Sequence, residues 1–247
     1  MKQFLYFIFI FISFYSGSQT ITIGSGSDVN STTTASPVNI WYRRQISQII
    51  YTSSELNTAG FFGAGDINKL GFFVATSPVY EIPGYTIKIK HTVSTNVNVA
   101  INTAGLQTVK GPYTYLPVAG GWDMITLDTP FNWNGVDNIL IEICWSQITP
   151  TYNASGTCRV FPYIDGYRYD RDDAVGDICG DLTTTVLPTK PQIKFTFEEE
   201  TIWTGDFSNE WTNTLNWLSG VPDETMDVVI PNTVINFPLI IDSVNLV

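Results

Sequence analysis

Apolar residues in this chain recur at every second position or in short runs, and helical periodicity is almost absent. Because β-branched and aromatic residues dominate these segments, the pattern predicts strands over 69–76, 86–91, 97–102, 124–127, 138–145 and 192–197. One stretch, 53–57, predicts a helical turn capped by Ser53 or Ser54.

The spacing of these strands defines a fold class. Short strands about ten residues apart, with Gly and Pro between them, are typical of a β-sandwich. Pro130 and the pair Asn134–Gly135 predict turn structure between the strands at 124–127 and 138–145. We therefore expect an all-β, jelly-roll-like sandwich over 37–197. The Ser/Thr-rich residues 19–36 would form a leader or an early edge strand.

The pattern of alternating apolar residues is interrupted after residue 197. Three consecutive glutamates open an acidic stretch, 198–202, that is typical of a solvated boundary between domains. Beyond it, 203–247 contains three tryptophans and the short motifs Trp-Thr-Gly, Asn-Trp and Gly-Val-Pro, and its final residues form an apolar alternation. We expect 203–247 to be the truncated start of a second β domain, and the chain to be a fragment of a longer protein.

The N-terminus predicts export. Lys2 precedes a run of large apolar residues that ends in Ser16-Gly17-Ser18, as in a secretory signal peptide cleaved after residue 18. The alternative is an uncleaved membrane anchor. With no second long apolar segment we expect no stable membrane span, and a secreted protein or one on the outer cell surface. The net charge of −11 argues against nucleic acid as a partner.

Three cysteines leave one unpaired in an exported chain. Cys158 and Cys179 flank a segment rich in Tyr, Asp and Gly, while Cys144 lies within a predicted strand. The pattern favours a disulfide between Cys158 and Cys179 and a free thiol at Cys144.

Aspartates cluster in the segment between these cysteines. Carboxylates in an extracellular loop are the ligands that Ca²⁺ prefers, although their spacing does not match the helix-loop-helix calcium motif. A calcium site is one interpretation, and a solvated acidic loop held by the disulfide is the other. The candidate metal ligands are Asp165, Asp170, Asp172, Asp173 and Asp177.

Aromatic side chains could stack on a sugar ring, with amides and carboxylates binding its hydroxyl groups. The alternative is that these aromatic residues belong to the core, as they often do in sandwiches. The candidate ligand-binding residues are Trp133, Tyr163, Tyr167 and Tyr169.

The sequence contains no motif for catalysis. There is no nucleophile elbow, phosphate-binding loop or zinc-protease motif, and the single histidine, His91, has no companion at metal-ligand spacing. We expect no enzyme activity, no catalytic residues and no cofactor other than possible calcium.

Six segments follow one another in a recognisable order: 51–56, 65–72, 87–92, 121–131, 138–145 and 190–195. In that order they resemble a β-sandwich module of large secreted and surface proteins from Bacteroidota-type bacteria, often exported by type IX secretion. Residues 152–181 depart from that pattern. The motifs Trp203-Thr204-Gly205, Asn216-Trp217 and Gly220-Val221-Pro222 resemble the opening of repetitive, β-helix-like surface domains. The resemblance implies location and architecture but no catalytic residues.

These observations predict a non-catalytic accessory or adhesive module that binds an extracellular glycan or a cell-surface protein. Two alternatives remain. One is a structural spacer without a ligand, and the other is the N-terminal part of an enzyme whose catalytic domain follows residue 247.

Overall fold

The computed structural model describes residues 18–146, 155–181, 183–198, 200–218, 220–222 and 227–239. They form two compact units, which divide after Phe197. The larger unit begins at Gln19, so the predicted start of the sandwich at residue 37 is wrong. The predicted signal peptide lies outside the described residues, except for Ser18.

The larger unit contains eleven strands and one short helix among its described residues. The first elements are β1 (Gln19–Ile23), β2 (Arg44–Tyr51), α1 (Ser53–Thr58), β3 (Gly65–Thr76), β4 (Ile82–Thr92) and β5 (Gln107–Tyr115). The remainder are β6 (Gly121–Trp133), β7 (Asn138–Trp145), β8 (Thr157–Cys158), β9 (Val160–Asp172), β10 (Thr185–Pro191) and β11 (Ile193–Glu198).

The strands form two antiparallel sheets. The five-stranded sheet has the order β1-β11-β3-β6, with β8 beside β3, and the six-stranded sheet has the order β10-β9-β2-β7-β4-β5. Apolar side chains from both sheets meet in one core, which includes Phe72, Phe195 and Ile141. The fold is an all-β sandwich, as the sequence predicts.

The alternation along β7 illustrates how the sequence builds this core. Ile139, Ile141, Ile143 and Trp145 belong to the core between the sheets. The residues between them lie on the opposite face of the sheet, because successive strand side chains point to opposite sides. That outer face carries Leu140, Glu142 and Cys144, all of which are fully buried. Both faces of this strand are therefore covered.

The helical turn forms where predicted but has a different cap. The hydroxyl of Thr52 accepts a hydrogen bond from the backbone N–H of Glu55, and the Glu55 carboxylate accepts one from the backbone N–H of Thr52. This reciprocal arrangement satisfies two N–H groups at the start of the helix. The predicted caps, Ser53 and Ser54, are helical residues instead.

One predicted strand is wrong. Residues 97–102 belong to the irregular connection between β4 and β5, although Val97 is buried. Val97 packs with Ile50 and Leu140 on the outer face of the six-stranded sheet. Val97 is therefore buried because its segment covers the sheet, and not because the segment is a strand of that sheet.

The predicted acidic loop is largely strand β9. Tyr167 and Tyr169 alternate with Arg168 and Asp170 along it, a period of two that the many charges obscure. Aromatic residues favour a pleated, half-buried surface, and pairing with both β2 and β10 buries one side of the segment.

The predicted disulfide is also wrong, because Cys144 bonds to Cys179 and Cys158 is free and buried. The pairing follows from the faces that the strands present. Cys144 lies on the outer face of the six-stranded sheet with Ile46 and Ile178, where Cys179 also packs. Cys158 lies in the core between the sheets, out of reach of that face.

The predicted leader, 19–36, is part of the sandwich. Strand β1 pairs only with β11 and is an edge strand, the alternative that the sequence left open. Ile21 and Ile23 from this strand enter the core, followed by Ala35. The apolar positions in this Ser/Thr-rich segment are few, but each of these three is buried.

The smaller unit begins at Glu198. Strands β12 (Glu200–Ile202) and β13 (Asp227–Val229) pair in parallel, so residues 200–202 are not a linker as predicted. Trp203 and Trp217 are buried, and their rings lie edge to face with centroids 4.9 Å apart. The interpretation of this unit as the start of a repetitive domain stays a prediction.

Candidate functional site

A polar row crosses the outer face of the six-stranded sheet. Register places Lys88 of β4 beside Glu142 of β7, and Glu142 beside Gln48 of β2. The Lys88 Nζ atom lies 3.2 Å from Glu142 Oε1, and Gln48 Nε2 donates to Glu142 Oε2 at 3.2 Å. A fully buried carboxylate is costly unless it is paired and hydrogen-bonded, and both partners are present here.

Gln48 also holds the two segments that cover this face. Its amide forms two hydrogen bonds with the backbone of Ile101, each 3.0 Å long, in the β4–β5 connection (93–106). Its Oε1 accepts a third from Thr183 Oγ1, at 3.3 Å, in the β9–β10 connection (173–184, without residue 182). One buried amide therefore ties both connections to the sheet.

The disulfide fixes the second connection over β7. Beside Cys179, the Asp177 carboxylate accepts hydrogen bonds from the Cys179 N–H at 2.9 Å and the Ser146 hydroxyl at 3.2 Å. The Ser146 hydroxyl in turn accepts the Ile178 N–H at 3.2 Å. These contacts place a carboxylate, a hydroxyl and the cystine on one wall.

This wall faces strands β4 and β5 across an open groove of about 660 Å³. The opposite side includes Pro112, which follows a bulge at Gly111. A Cβ on Gly111 would overlap the Tyr85 carbonyl oxygen, and the positive φ of this residue also favours glycine. The groove is lined by Pro83, Gly84, Thr86, Lys88, Pro112, Ser146, Asp177 and Cys179.

A second depression of about 420 Å³ adjoins the groove and shares Pro83 with it. Tyr80 is 41% exposed here, which leaves part of its ring free for contact with a ligand. Its other lining residues are Val79, Glu81 and Thr114. The sequence analysis did not single out Tyr80 and Glu81. Their position between Pro78 and Pro83, which indicates a surface turn, is the signal that could have identified them.

Together the two depressions offer one exposed aromatic ring, two carboxylates, an ammonium group and several hydroxyls. Such a surface suits a ligand that has apolar ring faces and many hydroxyl groups. The Lys88 ammonium forms an ion pair with the buried Glu142 carboxylate, and the Asp177 carboxylate accepts hydrogen bonds from Ser146 and the Cys179 N–H. The polar groups are therefore fixed before a ligand arrives, which lowers the entropic cost of binding.

The aromatic residues predicted to bind a ligand do not lie in this groove. Trp133 and Tyr167 are buried in the core, where Trp133 Nε1 donates to the Asp137 carbonyl oxygen at 2.7 Å. Tyr163 is half-buried, and Lys190 Nζ lies 3.6 Å from its ring centre. Tyr169 is half-buried against Tyr167. Trp133 and Tyr167 are therefore core residues, the alternative that the sequence left open.

The five predicted calcium ligands are not brought together. No group of three or more His, Cys, Asp or Glu side chains with metal-binding geometry occurs among the described residues, which include all five. Asp165 has a left-handed backbone conformation (φ 51°) at an irregularity of β9, five residues before Asp170. Asp172 forms an ion pair with Arg44, and Asp173 accepts the Arg43 N–H. The Arg44 guanidinium lowers the pKa of the Asp172 carboxyl.

Two further candidates for chemistry have structural roles. His91 Nε2 accepts a hydrogen bond from the Asn134 N–H at 3.1 Å, and its ring packs on Phe131. Burial raises the pKa of the Cys158 thiol, which keeps it in its unreactive, protonated form.

In the part of the chain that the structure describes, no helix has the length and apolar character needed to cross a bilayer.

Comparisons with known proteins identify no family. No family model matches the chain, and no curated protein matches its sequence. One similar solved structure contains the cysteine protease and lectin-like domains of Cwp84, a surface layer associated protein of Clostridium difficile. The two chains are 7% identical, the TM-score is 0.35, and the match covers 63% of this chain and 32% of that one.

Proposed function

We propose that this chain is a non-catalytic module of an exported protein and that it binds a glycan in the groove outside the six-stranded sheet. The observation that carries the proposal is the groove itself. It joins the exposed ring of Tyr80 to the polar groups of Lys88, Ser146 and Asp177. Sugar recognition combines stacking on an aromatic face with hydrogen bonds to hydroxyl groups.

Export is part of the same proposal. A disulfide between Cys144 and Cys179 favours an oxidising compartment, as does the predicted signal peptide. A secreted or surface-exposed protein meets glycans of its own cell wall, of other cells and of the surrounding matrix. Attachment to a larger adhesin or enzyme is compatible with this role.

The test is a glycan array probed with the full chain and with Tyr80→Ala. We expect wild-type protein to bind a defined set of glycans, and Tyr80→Ala to bind them about tenfold more weakly, because ring stacking is lost. Phe62→Ala is the matched control, since Phe62 is 77% exposed and lies outside the groove. It should bind as wild type does.

The spacer interpretation predicts a different result. Wild-type protein would then bind no glycan on the array. Equal binding by Tyr80→Ala and wild type would also overturn the assignment of the groove, since the ring would then contribute nothing.

A further inference from the structure

A second cluster of aromatic and charged residues, partly open to solvent, lies on the outer face of the five-stranded sheet. We call it the aromatic–cation patch, and it consists of Phe73, Trp122, Met124, Arg159 and Lys194. All five side chains are half-buried. Phe73 and Trp122 are cross-strand partners on β3 and β6, and Lys194 lies on the neighbouring strand β11. The patch belongs to a different sheet from the groove.

The patch is organised by contacts between rings and cations. The Phe73 and Trp122 rings lie edge to face, with centroids 5.6 Å apart. The Arg159 guanidinium lies 3.6 Å from the centre of the Phe73 ring, and Lys194 Nζ lies 4.9 Å from that of Trp122. These contacts hold both cations on the surface beside the rings.

The backbone secures the position of Arg159. Its N–H donates to the Phe73 carbonyl oxygen at 2.9 Å, and its carbonyl oxygen accepts the Gln192 N–H at 2.9 Å. Met124 extends the apolar surface over Gly71, where a Cβ would lie 2.6 Å from the Met124 sulfur. The absence of a side chain at Gly71 thus leaves room for the thioether beside the rings.

The charges of this patch are not neutralised by the protein. Among the described residues, neither Arg159 nor Lys194 forms an ion pair, although the chain has 23 acidic and 12 basic side chains. The nearby carboxylate of Asp123 accepts hydrogen bonds from Tyr115 Oη and the Val118 N–H instead. Two cations without an ion pair beside half-buried rings would complement an anionic ligand with an apolar face.

We propose that this patch binds an acidic sugar within an otherwise neutral glycan. The sugar ring packs on Trp122 and Met124, and its carboxylate accepts hydrogen bonds from Arg159 and Lys194. The exposed hydroxyl of Thr22, the cross-strand partner of Lys194, supplies a further polar contact. A densely charged polyanion fits less well, because the net charge of −11 repels it while two cations neutralise only a few of its charges.

The test compares two ligands that differ in one group. A neutral oligosaccharide that ends in one glucuronic acid and the methyl ester of that same oligosaccharide have the same rings, but the ester has no charge. We expect the full chain to bind the acid at least about tenfold more tightly than the ester, because charge-assisted hydrogen bonds to the carboxylate are lost. Equal affinity for the two, or no binding of either, would overturn the proposal.

Variants locate the site. The double substitution Arg159→Gln with Lys194→Gln should reduce the affinity for the acid about tenfold or more, and Trp122→Ala should reduce the affinity for both ligands. Lys110→Gln is the matched control for charge, since Lys110 is on the other sheet and pairs with Asp128. Tyr80→Ala should leave this binding unchanged, which separates the patch from the groove.

Polyglutamate distinguishes a sugar site from a site for any acidic chain. Binding of polyglutamate as tight as that of the singly charged oligosaccharide would overturn the proposal in favour of an acidic peptide as partner. The wild-type comparison of acid and ester needs no variant, so it remains decisive if Trp122→Ala fails to fold.

Discussion

Strands β2 and β7 of the six-stranded sheet are buried on both faces, but different kinds of contact bury the two faces. The inner face meets the five-stranded sheet with apolar side chains such as Ile89 and Ile141. The outer face is covered by two irregular connections, and its buried residues include Glu142 and Gln48 as well as the cystine of Cys144.

The difference follows from what covers each face. A second sheet satisfies its own backbone hydrogen bonds, so apolar alternation is sufficient to hold it. An irregular connection carries backbone N–H and C=O groups that need partners when they approach a buried surface. Gln48 supplies such partners to Ile101, and the disulfide restrains the other connection. Polar residues on the outer face thus anchor the two connections, and the groove lies between the anchored β9–β10 connection and strands β4 and β5.

The largest effect should come from the inner face. Phe72→Ala removes a fully buried ring from the core, and we expect it to lower the free energy of unfolding by about 3–5 kcal/mol. Denaturation in urea measures the change. Phe62→Ala, which alters an exposed ring, should change stability by less than about 0.5 kcal/mol. A similar loss in both variants would contradict the assignment of Phe72 to the core.

On the outer face, loss of the Cys144–Cys179 disulfide should lower the free energy of unfolding by a somewhat smaller amount. Replacing Cys144 and Cys179 together by Ser opens a loop whose ends are 35 residues apart, and should cost about 3–4 kcal/mol. Cys158→Ala is the matched control and should cost less, since that thiol closes no loop. A larger loss from Cys158→Ala than from the double variant would argue against this pairing.

A third prediction concerns a charge at the margin of the inner face. Burial lowers the pKa of Lys190 to about 8, although its ion pair with Glu55 opposes the shift. The unfolded chain keeps the ordinary value of 10.5. Between these values the unfolded state binds the additional proton, so this lysine makes stability rise with pH.

The comparison of wild type with Lys190→Met isolates this effect. The free energy of unfolding of wild type should rise relative to that of the variant by about 2 kcal/mol between pH 8 and pH 10. The buried thiol of Cys158 and the buried tyrosines, whose raised pKa values favour unfolding at high pH, are present in both proteins. A difference that does not change with pH would show that Lys190 is solvated.

The smallest expected effect is that of calcium. Because the five aspartates do not converge, thermal unfolding should shift by less than about 1 °C when calcium or a chelator is added. A rise of several degrees with calcium would show that the described arrangement of β9 and the segment after it is incomplete.

The inner face could be predicted from the sequence and most of the outer face could not. Period-two alternation identifies β4 and β11, because a sheet with one apolar neighbour imposes that pattern directly, and short apolar runs identify β3 and β7. The alternation rule misassigns 97–102, since Val97 is buried by covering a sheet, whereas Val99 is 62% exposed. Charges in β9 conceal its alternation, because the outward Arg168 is buried in part by donating to the carbonyl oxygens of Thr183 and Asn98 in the covering connections.

The disulfide and the groove depend on contacts between distant segments. In the sequence Cys158 is closer to Cys179 than Cys144 is, which favoured the wrong pair. The pairing is decided instead by the sheet face on which each cysteine lies. Similarly, Tyr80 and Asp177 come close to one groove only through the register of β4 with β7 and the position of the cystine. Pairings of this kind need the three-dimensional fold.

Peptide mapping of the unreduced protein tests the contrast between the two faces most directly. The account predicts a cross-linked pair of peptides containing Cys144 and Cys179, and a Cys158 that reacts with an alkylating reagent only after unfolding. A cross-link between Cys158 and Cys179 would contradict it, because a core cysteine would then have to reach the outer face of the six-stranded sheet.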